Sequence, residues 1–171
     1  MDLPPDAGPP GARRPVLRWV LAVIGLLVVV GAGAGVYVAV NRQTDDPDTA
    51  ILVAARQGAT SFFSLDYRHA NADVDRVLAL ATGSFRSQYA GQRKQIVTGV
   101  TSKKLIVTAV IPTGGAALEY RDPTHAQVLV AVDVSTASAS GASGATQHYR
   151  ARLLLTRVSG RWLVSGLNQV G

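Results

Sequence analysis

Asp66, Tyr67 and His69 stand within four positions of one another and carry a carboxylate, a phenol and an imidazole, the groups that acid–base catalysis uses. On a helix, at ~100° per residue, Asp66 and His69 fall on neighbouring positions while Tyr67 projects from another side, so one helix alone does not converge all three. A fourth acid, Asp133, interrupts the alternation of Val128, Val130, Val132 and Val134, which puts it on the opposite, solvated strand face. The three histidines, His69, His125 and His148, fall on different predicted elements without ligand spacing, so neither a metal nor another cofactor is expected. There is no cysteine, which excludes disulfides, thiolate zinc sites and a Cys nucleophile. G-x-S-x-G, G-x-x-x-x-G-K and H-E-x-x-H are all absent, and no catalytic residue is expected. Asp66, Tyr67 and His69 are read instead as structural, partner-contacting or pocket-lining groups. Arg150 and Arg152 share one strand face and form a candidate docking patch for an acidic partner. The remaining basic residues are scattered over helices and strands, which argues against nucleic acid as a partner.

The elements that must position these groups follow from periodicity. Ile51, Ala55, Gly58, Phe62, Leu65 and His69 recur at spacings of four and three, one stripe of a helix starting near Thr49 with Asp48 as its N-cap. Val74, Val77, Leu78 and Ala81 mark a second helix, closed by Gly83 as a left-handed cap. Ser84 then caps a third that carries Phe85, Tyr89, Ile96 and Val97. From Leu105 the period becomes two, predicting strands over 105–111, 116–121, 126–136, 147–158 and 161–170. Ser159-Gly160 reads as a two-residue hairpin turn, pairing Val158 with Arg161, Arg157 with Trp162 and Leu155 with Val164. Trp162 should then bury its ring against the first helix near Phe62 or Leu65. The predicted fold is α+β: three helices packed on a curved antiparallel sheet of four to five strands.

The 171 residues leave room for one modest domain, and 47% hydrophobic against 16% charged is apolar for a soluble chain. Trp19 to Val40 is a run of 22 residues without a charge, long enough as a helix to cross a bilayer once. Arg13, Arg14 and Arg18 precede it and Asp45, Asp46 and Asp48 follow, so the N-terminus is expected in the cytoplasm and the rest outside the cell membrane. The rival readings are a signal peptide cut near Ala32-Gly33-Ala34, which the length of the run disfavours, and a twin-arginine signal at Arg13-Arg14. Gly31, Gly35 and Ala39 form a small-residue row suited to close helix packing in the membrane, although glycine is common there without such a role. The expected organisation is a disordered stub over 1–18, a membrane helix over 19–40, a linker over 41–47 and an extracytoplasmic α+β domain over 48–171.

The tract from Ala54 to Gln95, with Ala54-Ala55-Arg56, Ser64-Leu65-Asp66-Tyr67-Arg68, Gly83-Ser84-Phe85 and Tyr89, together with Gly160-Arg161-Trp162-Leu163-Val164, resembles the Mce-associated membrane proteins of actinobacteria. That resemblance implies a cone-like domain similar to nuclear transport factor 2 and to the bridging components of type IV secretion systems. It also implies a non-catalytic accessory role in an Mce-type lipid or sterol importer, whose subunits would be the partners, and leaves room for a homo-oligomer. Two alternatives stand beside it: a ligand-binding or acid–base cone of the isomerase and dehydratase kind, and a scaffold of another envelope machine such as a secretion system. An apolar pocket with convergent polar side chains would favour the first alternative, and a filled core the accessory or scaffold readings.

Overall fold

The computed structural model describes residues 46–141 and 144–170. The expected stub and membrane segment, with Gly31, Gly35 and Ala39, lie outside the described residues. No described helix is long and apolar enough to cross a membrane. Helix α1 spans Pro47–Phe63. Its cap is Asp46, not Asp48: the Asp46 carboxylate accepts from the Asp48 N–H at 3.0 Å and from the Thr49 hydroxyl at 3.0 Å, and Pro47 takes the first helical position, where a missing donor costs nothing. Ile51, Ala55, Gly58 and Phe62 bury the stripe read from the sequence, with Ala59 buried beside it. The helix does not continue to His69. Leu65–Asp66 form strand β1, pairing with Val107 and Ile106, and the Ser64 hydroxyl accepts from Ala109 N–H at 3.1 Å. Sheet pairing thus overrides a helical periodicity that runs on past Phe63.

Three helices follow: α2 over Ala70–Leu80, α3 over Gly83–Gly91 and α4 over Arg93–Ser102. The single third helix expected from Phe85 to Val97 is therefore two, making four among the described residues. The break falls at Gln92 (φ −91°, ψ −1°), directly after Gly91, where the lack of a side chain weakens helix continuation. Gly83, at φ 60°, opens α3 instead of closing α2, and the residue before it, Thr82, takes the N-cap position expected of Ser84.

The sheet is antiparallel with six strands: β2 Leu105–Val110, β3 Ala116–Arg121, β4 His125–Ser138, β5 Gln147–Val158 and β6 Arg161–Gln169 join β1. Its order is β1-β2-β4-β5-β6, with β3 also on β4. Strand β4 is long enough to serve two partners: residues 126–130 pair with β3 and residues 133–138 with β2. Ala126, Val128, Val130, Val132 and Val134 face inward with Tyr149, Ala151, Leu153 and Leu155 of β5, and α1 packs across them. Helix α1 comes close to β6 at Gly58, where an added Cβ would lie 2.5 Å from Val164 Cγ2. Ser159 (φ 48°) and Gly160 (φ 81°) turn the last hairpin with both central residues left-handed, as a two-residue turn of this twist requires. Val158↔Arg161, Arg157↔Trp162 and Leu155↔Val164 pair as read from the sequence. Trp162 is only partly buried, because the pair Arg157↔Trp162 lies at the hairpin end, where the inner face runs out.

Candidate functional site

Every Phe of the chain converges below α3 and α4. Phe62 lies 5.1 Å from Phe63 in an edge-on contact, 6.0 Å from Phe85 and 5.7 Å from Tyr89, centroid to centroid, and Phe63 stacks on Tyr149 at 6.0 Å. Such pairs contribute about 0.5–1.5 kcal/mol each beyond their burial, so this wall is stiff. Above it α4 stands off from the sheet and leaves a cavity of about 630 Å³, within the ~300–1,000 Å³ range of ligand pockets. Phe62, Phe63, Ile96, Leu105, Val107 and Val134 supply its apolar walls. Polar side chains reach it from the exposed side of α4 and its C-terminal end, and among the described residues no Asp or Glu lines it. Tyr89 is 2% exposed, and burial, reinforced by the Asp73 charge, pushes its phenol well above the ordinary range. It is therefore a neutral hydroxyl at physiological pH.

The three acid–base candidates lie elsewhere. Asp66 is gripped by its neighbour: Arg68 donates to the carboxylate from Nε at 2.9 Å, from Nη2 at 2.5 Å and from its backbone N–H at 2.9 Å. These bonds, the guanidinium first, hold the carboxyl down at about 2. His69 Nδ1 lies 3.9 Å from the same carboxylate, so Asp66 and His69 are neighbours. Tyr67 departs in another direction, packing against Ala70, Val100 and Leu105 with the Arg68 guanidinium 5.9 Å from its ring centre. None of the three lines the cavity. The segment is braced from below by Asp73, which is 5% exposed, accepts from Asp66 N–H at 2.8 Å and pairs with Arg76 at 3.0 Å. Asp133 faces outward and meets His148 Nδ1 at 2.6 Å. His125 lies beside Asp122, and among the described residues no group of three His, Asp or Glu is placed to hold a metal.

Arg150 and Arg152 do share the outer face of the sheet, opposite Ala131 and Leu129. Arg152 is tied to Glu119 by two bonds, Nε to Oε2 at 2.6 Å and Nη2 to Oε1 at 3.0 Å, which hold the Glu119 carboxyl below its usual range. Arg150 is exposed and has no ion pair among the described residues. The patch is thus half-neutralised, with one Arg available. The sequence left open whether the fold holds such a cavity. Its signals were the Phe62-Phe63 doublet and the small residues Gly91, at the end of α3, and Gly99, in α4, which both line it.

A family model described as "Uncharacterized protein Rv1363c/MT1408-like" matches residues 16–171. The chain belongs to this family. Within the Rv1363c/MT1408-like family, the protein Rv1363c of Mycobacterium tuberculosis is 27% identical over 116 residues, covering 68% of this chain. The chain spans 44% of the length of that relative. Among solved structures, the periplasmic domain of DotI superposes with a TM-score of 0.61 at 23% identity, covering 73% of this chain and 96% of that one. An IcmL-like type IV secretion system protein of Legionella pneumophila superposes with a TM-score of 0.60 at 17% identity, covering 73% and 92%. These likenesses establish the fold of the Rv1363c/MT1408-like domain: helices on a curled antiparallel sheet, of the cone-like kind.

Proposed function

We propose that the domain is a non-catalytic docking module, outside the cytoplasm, that holds together subunits of a multi-component envelope machine. The observation that carries this reading is the placement of charge. The acid–base groups Asp66, Asp133, His69 and His148 are spent on surface pairs, none enters the cavity, and the outer face of β4 and β5 offers Arg150 in a row with the Glu119–Arg152 and Asp133–His148 pairs. A patterned charged face of this kind favours encounter and register with a partner of opposite pattern. The structural neighbours, a periplasmic domain and a secretion-system protein by their own descriptions, support a scaffold of that general type. The resemblance of Ala54–Gln95 to Mce-associated proteins supports a lipid importer as the particular machine. The preceding apolar run, Trp19 to Val40, supports a single-pass anchor with the domain outside.

The test is purification of the tagged full chain in gentle detergent, with identification of the subunits that accompany it. Envelope-complex subunits should be enriched, and Arg150→Glu should reduce their recovery at least fivefold at unchanged chain level. Importer subunits would select the Mce reading, and secretion subunits the other machine. A chain recovered alone from the wild type contradicts docking.

A further inference from the structure

The cavity beside α4 has no part in the docking face, and its chemistry points to a ligand of its own. The residues of α4 and its flanks that line it, Lys94, Gln95, Thr98, Gly99, Ser102 and Lys103, recur at helical spacing, so the cavity runs along the helix. From Lys94 to Lys103 is nine residues, about 13 Å at ~1.5 Å each. Its floor is apolar and its rim holds two of the three lysines of the chain, with the third, Lys104, adjacent. Among the described residues the lining includes no Asp or Glu, so its charge is positive. Water filling it at ~30 Å³ per molecule would place about twenty waters against Phe62, Phe63, Leu105 and Val107, an unfavourable hydration that an apolar chain relieves. Gly91 and Gly99 reinforce the geometry, since an added Cβ at either would meet nothing within 4 Å.

We infer that this cavity binds a single-chain anionic amphiphile of the fatty-acid class, its hydrocarbon tail along the Phe62–Val107 wall and its carboxylate at the lysine rim. The rival occupants are a neutral long-chain alcohol and the apolar 19–40 segment of the chain itself. The affinity should rise about fourfold per added methylene while the tail still lengthens within the cavity, the transfer gain of one buried CH₂.

The test uses the full chain held in amphipol and hexadecanoic acid bearing a diazirine near its methyl end. Photolabelling should map by peptide mass spectrometry to residues 62–65 and 96–107. Unlabelled hexadecanoate should compete at a concentration at least tenfold lower than hexadecanol. Lys94→Glu with Lys103→Glu, both exposed positions, should weaken labelling about tenfold with an unchanged circular dichroism spectrum, and Val107→Trp should abolish it by filling the cavity. If Val107→Trp disturbs folding, the rim variant and the acid-against-alcohol comparison still decide. Label confined to residues 19–40, absent label, or equal competition by acid and alcohol overturns the inference.

Discussion

Adding a single methyl group at Gly58 should destabilise the domain, whereas the same change at Gly99 should stabilise it. Helix α1 crosses β6 at Gly58 so closely that a Cβ there would lie 2.5 Å from Val164 Cγ2. Val164 has little room to yield: it is 4% exposed, pairs with Leu155, bridges to Ala81, and as a β-branched residue has a restricted side-chain torsion. Overpacking of this kind costs about 1–3 kcal/mol, and the helical gain of Ala over Gly returns about 0.5–1 kcal/mol, leaving a net loss of up to about 2.5 kcal/mol, near 1.2 kcal/mol at mid-range, for Gly58→Ala. At Gly99, inside α4, a Cβ meets nothing within 4 Å, so only the helical gain of about 0.5–1 kcal/mol remains. Urea unfolding followed by circular dichroism, with an m-value near 2 kcal/mol/M, should show the midpoint about 0.6 M lower for Gly58→Ala and about 0.25–0.5 M higher for Gly99→Ala. A neutral or stabilising Gly58→Ala, or equal shifts of one sign, would refute the packing of α1 on β6.

Trp162→Ala should cost less than Leu153→Ala in the same assay, about 1–3 against about 2–5 kcal/mol, because Leu153 is fully buried and Trp162 is not; the reverse order would place the indole in the core. Asp66 has its carboxyl lowered from 3.8 to about 2 by Arg68, so its stabilisation is complete above the unfolded value and is lost as pH falls through about 2. Asp66→Asn should therefore be less stable than wild type at neutral pH and show a flatter acid limb between about pH 4 and pH 2, read from pH-dependent unfolding midpoints. If the proposed machine is a lipid importer, Asp66→Asn and His69→Gln should also leave complex assembly and uptake intact; loss of uptake with normal protein level and assembly would establish a chemical role for this pair.

The sheet was legible because its signals are local. The Val128 to Val134 alternation gives β4 its inner face, and Ser159-Gly160 sets a register that carries through to Leu155↔Val164. The end of α1 was not, because Leu65 and His69 prolong the helical stripe and what stops it is the pairing of Leu65 with Val107, a contact distant in sequence. The break at Gln92 is similar: Ile96 and Val97 keep the period, while α3 and α4 pack against different surroundings. Of the candidate residues, the shared face of Arg150 and Arg152 follows from strand alternation, but the capture of Arg152 by Glu119 depends on the register of β3, which includes a shift between Leu118 and Tyr120. The cavity was not legible, because the helical spacing of its α4 lining is that of any helix face and the space itself arises from the distance at which α4 stands from β2.

Site-specific photocrosslinking in living cells tests the docking claim most directly. A benzoylphenylalanine placed at position 150, in the middle of the outer β5 face, should yield a covalent adduct with a subunit of an envelope complex, whereas the same probe at Thr101, exposed on α4, should not. Adduct formation at Thr101 but not at position 150, or no adduct from any position on the outer sheet face, would contradict the assignment of that face as the docking surface.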